Sequence, residues 1–244
     1  MFPFIGIQAD EEPKTPISAS GLYNSSDYSY ATGNGNSDLS SVLLSDLTEF
    51  TFMIWVYRLS SNSVAIYQEY SSYIVPLFFN NIGDVVCNIR NSNGGSTILL
   101  INDGIELNEW HHWTVTGSVS NGRVRIFKDG VLLGSAVMTY QNDNSSIAKM
   151  NKDDSYLSQL NVYNRELTES EVAEHYVYDD DLMFAGVLGW DAMTPAQKSG
   201  LIYSSSFTKD ISISGNEFSD KSGNGITLSP QPSLTGEQIY FYTN

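Results

Sequence analysis

The 244 residues read as an all-β protein: two antiparallel sheets stacked as a sandwich, with one or two short helices. Three observations carry that reading. Short runs of aliphatic, β-branched and aromatic residues recur along the chain, separated by Asn-, Gly- and Ser-rich breaks, the rhythm of strands and tight turns. Fifteen Tyr and 19 Gly suit many strands joined by polar turns. The stretch from Asn108 to Gly134 is a meander in itself. Its first strand alternates Trp110, His112, Thr114 and Thr116 with His111, Trp113 and Val115, so both faces are large or β-branched, as in a strand packed on two sides. Ser120-Asn121-Gly122 turns the chain, and Val124, Ile126 and Phe127 lead into Lys128-Asp129-Gly130. The Asp-Gly pair there suits the positive-φ positions of a tight hairpin before Val131-Leu132-Leu133 returns.

From its start the chain reads as follows. Residues 1–20 form an anchoring arm: an apolar hook of Phe2, Phe4, Ile5 and Ile7, then an acidic stretch whose Pro3, Pro13 and Pro16 discourage regular structure. Gly21 to Asp38 is a Tyr-rich strand (Tyr23, Tyr28, Tyr30) running into the turn cluster Gly33-Asn34-Gly35-Asn36, and Leu39 to Leu47 is a short turn. Phe50 to Val56, Val64 to Tyr67, Tyr73 to Phe79, Val85 to Ile89 and Thr97 to Ile101 are strand candidates, and Met138 to Asp154 reads as a polar surface loop. Thr168-Glu169-Ser170-Glu171 is a capping box opening a helix to about Tyr176, and Thr194-Pro195-Ala196-Gln197 is a second helix start, with Gly200 as its stop. Asp179-Asp180-Asp181 is a charge run of the solvated-turn kind. The sandwich is therefore assigned to residues 21–178, and residues 179–244 to an extension that returns to it or to a neighbouring subunit.

Three motifs in this order resemble a known family. Phe50-Thr51-Phe52-Met53-Ile54-Trp55-Val56 is similar to its F-T-x-x-x-W-V strand. It is followed by the run from Trp110 to Gly134, and then by Tyr156 to Tyr176, Y-L-S-Q-L-N-V-Y-N-R-E-L-T-E-S-E-V-A-E-H-Y. Together they resemble the laminin-G-like jelly roll of the concanavalin A-like lectin/glucanase group, over roughly Ser20 to Tyr176. The resemblance implies a concanavalin A-like jelly roll and carbohydrate as the ligand class, with no particular aromatic singled out. Relatives with this fold often bind calcium in edge loops, which makes Asp143, Asp153 and Asp154 candidate ligands. Against that, Ser158-Gln159 stands where the family often has an acidic residue, and no other cofactor is expected. One segment is out of place. Glu217 to Leu228 resembles the family's D-x-S-G-N-G-x-x-L stretch, which normally precedes the first sheet strand, so the chain is either a circular permutant or carries a truncated second copy.

Charge and chemistry bound the function. A net charge of −16 excludes a non-specific nucleic-acid binder, which needs a basic footprint. The lone Cys87 allows no intrachain disulfide and reads as a small buried hydrophobe. The opening residues lack the charged start and apolar stretch of a signal peptide, and no 18-residue apolar run is present to span a membrane as a helix. A glycosidase on this scaffold needs paired carboxylates on one strand face. Glu69 stands alone in its strand and the Asp179 to Asp181 run has no convincing strand, so no enzyme is expected. His112 matches a core position of the family. The expectation is a non-enzymatic virion structural protein: a bacteriophage capsid decoration, head-fibre or tail protein displaying a lectin-like sandwich. Its partners would be other virion proteins or sister subunits, and a host surface glycan. The alternatives are a secreted or cell-surface bacterial carbohydrate-binding module, set back by the missing export signal, and a glycoside hydrolase accessory domain.

Overall fold

A computed structural model describes residues 20–22, 43–58, 60–69, 74–90, 95–104, 106–139, 148–150, 155–176, 193–205, 220–226 and 239–241. The strands are β1 (Ser20–Leu22), β2 (Glu49–Arg58), β3 (Val64–Glu69), β4 (Ile74–Phe79), β5 (Asp84–Arg90), β6 (Ser96–Asn102), β7 (Trp110–Ser118), β8 (Arg123–Lys128), β9 (Val131–Val137), β10 (Ala148–Met150), β11 (Ser155–Tyr163), β12 (Leu201–Ser205) and β13 (Ile239–Phe241). One helix, α1, covers residues 169–176. The two sheets of the sandwich run β10-β3-β4-β5-β6 and β12-β11-β2-β7-β8-β9, and β1 and β13 form a separate two-stranded sheet, with every pairing antiparallel. The expected two-sheet jelly-roll sandwich is what the chain forms.

The hairpins follow from local chemistry. Asp129 and Gly130 both take positive φ, 51° and 76°, in the two-residue turn joining β8 to β9; that sign matches the right-handed twist of the strands, and Asp and Gly tolerate it. Pro76 has no N–H for the ladder, and it sits where the β4–β5 register shifts between Val75 and Phe78, the bulge setting in which a strand proline is accommodated. Thr168 and Glu171 close the capping box as the sequence proposes: the Thr168 amide donates to Glu171 Oε2 (2.8 Å) and the Glu171 amide to Thr168 Oγ1 (3.3 Å).

The main core lies between the sheets, where Phe50, Phe52, Ile54 and Val56 of β2 face Ile74, Leu77 and Phe79 of β4 and Val85, Cys87 and Ile89 of β5. A second apolar layer covers the outer face of the six-stranded sheet: Met53, Phe127 and Tyr163 under Leu167, Val172, Met193 and Leu201. Beside it Trp55 packs with Trp110 and Tyr176. This double burial explains why β7 is large on both faces, and residues 112–118 are all buried. Trp55, Val124, Ile126 and Leu160 are inside as expected, but Trp110 is only half-buried, at the strand's start, with its ring 5.5 Å from Tyr57.

Two expectations need correction. Residues 195–200 are turns rather than a second helix. Thr194 and Gln197 do exchange the capping bonds, but Gly200 at φ 77° ends the segment within one turn. The stretch from Met138 to Asp154 is not wholly a surface loop: Met138 is fully buried and Ala148–Met150 forms β10 against β3. Within the C-terminal extension, β13 pairs antiparallel with β1, Ser20 opposite Phe241.

The out-of-place motif belongs to this sandwich. Asp220 accepts hydrogen bonds from the amides of Ser204, Ser222 and Ile226, the Lys221 amide donates to the Ser204 carbonyl, and Asn224 Nδ2 donates to the carbonyls of Leu201 and Ile202. Ile226 reaches the main core. The loop thus caps β12, the outermost strand of the six-stranded sheet.

Candidate functional site

At one end of the sandwich the two sheets part around a crevice lined by Val56, Arg58, Phe79, Val85, Trp113, His111 and the loop residues Asp103, Gly104, Glu106 and Glu109. The loop, 103–109, is docked at both ends. The amides of Asp103 and Gly104 donate to the Gly83 carbonyl, and the Asn108 amide donates to the carbonyl of Arg58, the last residue of β2. Gly83 and Gly104 pass so closely that a Cβ on Gly83, which also holds φ 96°, would lie 3.0 Å from Gly104 Cα. Glycine is what lets the loop close over the β4–β5 turn.

The floor is a ladder of cation, ring, ring and cation. The Arg58 guanidinium lies 4.8 Å from the Phe79 ring centre, Phe79 meets Trp113 edge-on at 5.1 Å, and Lys128 Nζ sits 5.6 Å from the Trp113 ring. Lys128 bonds both Asp103 Oδ2 and Glu106 Oε2. Burial opposes its charge, but those two carboxylates outweigh it and raise its pKa above the ordinary lysine value. His111 stands between the same Glu106 and one further acid, with Nδ1 2.8 Å from Asp129 Oδ2 and Nε2 3.1 Å from Glu106 Oε2. The other Asp129 oxygen accepts the His112 amide at 2.9 Å. Burial pushes Asp129 up, yet the His111 bond and that amide more than offset it and hold the carboxyl below its usual range.

Arg58 is the anomaly. It is 6% exposed, its Nε has no hydrogen-bond partner, and among the described residues it forms no ion pair, its one side-chain bond running from Nη2 to the Asn62 carbonyl at 3.2 Å. Burial alone lowers its pKa. A guanidinium remains charged in a protein, and leaving its donors unspent away from water costs free energy, so such a group at the wall of a crevice is poised for an acceptor from outside.

The sequence-chosen residues fall elsewhere. Phe2, Phe4, Ile5, Ile7, Asp143, Asp153, Asp154 and Asp180 lie outside the described residues. Among the described residues no cluster of three or more His, Cys, Asp or Glu could hold a metal ion. Glu69, the isolated strand carboxylate, is 1% exposed and structural. It accepts the amides of Leu43 and Leu44, each at 2.7 Å, and the hydroxyls of Tyr67 and Ser45, each at 2.5 Å, pinning the 43–46 turn to β3. His112 is fully buried against Trp55 and Tyr176, on the face opposite His111. Burial, reinforced by His175, pulls its pKa down to about 3, so the ring is neutral. The crevice acids escaped the sequence reading because Asp103, Glu106 and Glu109 sit on a loop, where no strand or helix period reveals a shared face. Their one visible signal is the spacing of three in Asp-Gly-Ile-Glu-Leu-Asn-Glu.

The fold and the order of its strands meet a family description. Residues 31–173, more than half of the chain, match the laminin-G-like profile of the concanavalin A-like lectin/glucanase superfamily. The chain belongs to that superfamily. Within it, the crevice opens at the end of the jelly roll where the β6–β7 loop crosses the mouth between the sheets. Solved structures with a similar shape include the botulinum neurotoxin type G receptor binding domain, at 19% identity over 54% of this chain and 38% of that one, with a TM-score of 0.45. The binding domain of Paraclostridial Mosquitocidal Protein 1 aligns at 20% identity over 55% and 38%, also with a TM-score of 0.45. In each the match spans less than two-fifths of the other chain. No curated protein matches the sequence.

Proposed function

We propose that this superfamily member is a non-enzymatic, lectin-like binding protein that holds a sugar residue of a glycan at the Arg58–Trp113 crevice. The observation that carries the reading is the buried guanidinium with an unspent Nε–H beside two aromatic rings. Phe79 and Trp113 are 2% and 4% exposed, so the sugar rests at the mouth, sending one hydroxyl oxygen toward the Arg58 donor and hydroxyl protons to the carboxylates of Glu106 and Glu109. The acidic rim favours a neutral sugar over an anionic one. Catalysis is disfavoured on physical grounds. Glycoside hydrolysis needs a carboxyl held protonated near neutrality, whereas every described carboxylate whose pKa departs from its ordinary value is pushed down: Asp129, Glu166 and Glu171. The test is a panel of neutral oligosaccharides titrated into the purified protein. Binding should weaken on the order of tenfold in Glu109→Ala, the loss expected from one hydrogen bond to a charged group, with no sugar released. A panel without a binder, or turnover of any member, overturns the proposal.

The narrower setting, display on a virion, draws its support from the N-terminal sequence. Four large apolar side chains ahead of an acidic, Pro-bearing arm form an anchor whose burial is worth on the order of 1.5–3 kcal/mol each. Replacing Phe2, Phe4 and Ile5 with Ser should abolish incorporation into particles and leave sugar binding intact. Incorporation of the variant at normal copy number would show that the hook is not the anchor, and a native protein never found in particles would favour a free, secreted or surface-borne module.

A further inference from the structure

The two ends of α1 are held by different chemistry. Its first turn carries ion pairs: Arg125 Nη1 lies 3.2 Å from Glu169 Oε1, and Arg165 Nη1 2.8 Å from Glu171 Oε1. Arg125 Nη2 also meets Glu166, just ahead of the helix, at 2.8 Å. Among the described residues the last turn makes no ion pair, and His175 and Tyr176 rest instead on rings of the six-stranded sheet. His175 meets Tyr163 of β11 edge-on at 5.6 Å, its Nε2 3.1 Å from the Tyr163 hydroxyl. Tyr176 lies 5.9 Å from the Trp55 ring of β2 and 6.2 Å from that of His112 on β7. The β8–β9 turn completes the seat, since a Cβ on Gly130 would come within 3.1 Å of Tyr176 Cβ.

Two imidazoles are thereby sealed under one helical turn, His112 fully buried and His175 1% exposed. The carboxylates that act on them are engaged elsewhere. Asp129, in the β8–β9 turn, holds His111 Nδ1 and the His112 backbone amide, and Glu171 holds Arg165 and the amide and hydroxyl of Thr168. Glu174 is exposed, and Arg165, 5.8 Å from the Tyr163 ring, adds a like charge beside His175. The other neighbours, Trp55, Tyr163, Tyr176 and Met193, are uncharged. His175 Nδ1 has no hydrogen-bond partner, so an imidazolium there would leave a buried donor without an acceptor.

We propose that α1 is an acid-opened flap: protonation of His175 and His112 lifts its last turn from the sheet, hinged at the ion-paired first turn, and bares Trp55 and His112. Burial sets the direction. It lowers the pKa of His175 to about 4 and, reinforced by His175, that of His112 to about 3, whereas solvent in the open form returns each to about 6.5. The closed form is therefore fully favoured above about pH 6.5 and loses ground as the pH falls toward 4. At pH 5 the open form gains roughly thirtyfold for each imidazole released, the ratio of the two protonation equilibria. The hinge outlasts this change. Although burial opposes it, Arg123 and Asn121 hold Glu166, and Thr168 and Arg165 hold Glu171, below the ordinary carboxylate range. The flap covers the face opposite the crevice, so it works independently of what the crevice binds.

Native-state hydrogen exchange of the full-length protein tests it, at about pH 7.5 and about pH 5 and across low urea, with rates converted to protection factors. The amides of residues 173–176 should exchange through a local opening: less protected than those of 112–118 in β7, insensitive to urea where the β7 amides respond steeply, and at least about thirtyfold less protected at the lower pH. His175→Gln, which can keep a hydrogen bond to the Tyr163 hydroxyl, should remove about thirtyfold from that pH effect and leave the urea slopes as they were. Protection at 173–176 that is the same at both pH values overturns the proposal. So does exchange there that shares the protection and urea slope of β7, since the helix would then leave only with the whole domain; this wild-type comparison decides even if the variant does not fold. A folded His175→Gln protein with the full wild-type pH effect overturns it as well.

Discussion

The two sheets share an ancestry of pattern and differ in cover. Over its central strands the six-stranded sheet is buried on both faces, by the five-stranded sheet on one side and by α1 with residues 193–201 on the other, while its edge strand β9 leaves Val131, Leu132 and Val137 exposed. The five-stranded sheet is buried on one, and its outward residues Val75, Phe78, Val86, Ile98 and Leu100 are half-buried or exposed. In the first, the buried guanidinium of Arg125 is fully paired. Arg125, 3% exposed, bonds Glu166 at 2.8 Å, the Leu167 carbonyl at 2.9 Å and Glu169 at 3.2 Å, stapling the start of α1 to β8. In the second, apolar groups face outward at the edge. Burial is therefore concentrated in the covered sheet, and the crevice lies where the two meet.

Substitutions should separate the two sheets in that order. Glu166→Ala leaves the buried Arg125 charge without its closest carboxylate and should cost about 3 kcal/mol in chemical denaturation, as breaking a buried pair does. Gly117→Ala on β7 drives a Cβ into the Phe50 ring and within 3.0 Å of Met138 Sδ, an overpacking expected to cost about 2 kcal/mol. An equal loss from Ile98→Lys would erase the distinction between the sheets, since an exposed substitution should stay within about 0.5 kcal/mol.

Acid should sharpen the comparison. Burial lowers the pKa of His112 to about 3 and that of His175 to about 4, and both pack on the covered outer face of the six-stranded sheet. Each ring is neutral in the folded chain and titrates near 6.5 once unfolded, so the unfolded state binds more protons below that pH. Stability is thus fully present above about pH 6.5 and falls as the pH drops toward 4, by about 1.4 kcal/mol per pH unit for each histidine. The lowered carboxylates Asp129, Glu166 and Glu171 add their own loss only below their ordinary range, near pH 4. Denaturation at pH 5 should show an uptake of about two protons on unfolding. No uptake there would mean that the two rings are solvated or paired rather than dry.

How far these features could be read from residues alone depends on their period. β7 announced its double burial through large side chains on both faces, and Asp129-Gly130 announced its turn, because strand alternation and positive φ are local properties. The capping box at Thr168 is equally local. Thr97 to Ile101 is legible as a strand for the same reason, but its lack of polar alternation hides that Ile98 and Leu100 face out. The tertiary arrangement, which places β6 at an edge, decided it. The crevice was the least legible region. Arg58 looks like the end of an apolar strand, Asp103, Glu106 and Glu109 like a polar loop, and His111 like the twin of His112. Only the docking of Asp103 and Asn108 onto Gly83 and Arg58 assembles them.

The most direct test is nuclear magnetic resonance of side-chain N–H groups during titration with an oligosaccharide from the neutral panel. The Arg58 Nε–H and Trp113 indole signals should shift saturably with one midpoint, while the Trp55 indole, buried beneath Tyr176 on the far face of the same sheet, stays in place. Shifts at Trp55 or along β6 with Arg58 and Trp113 unmoved, or no saturable shift with any sugar, would contradict the crevice as the binding site.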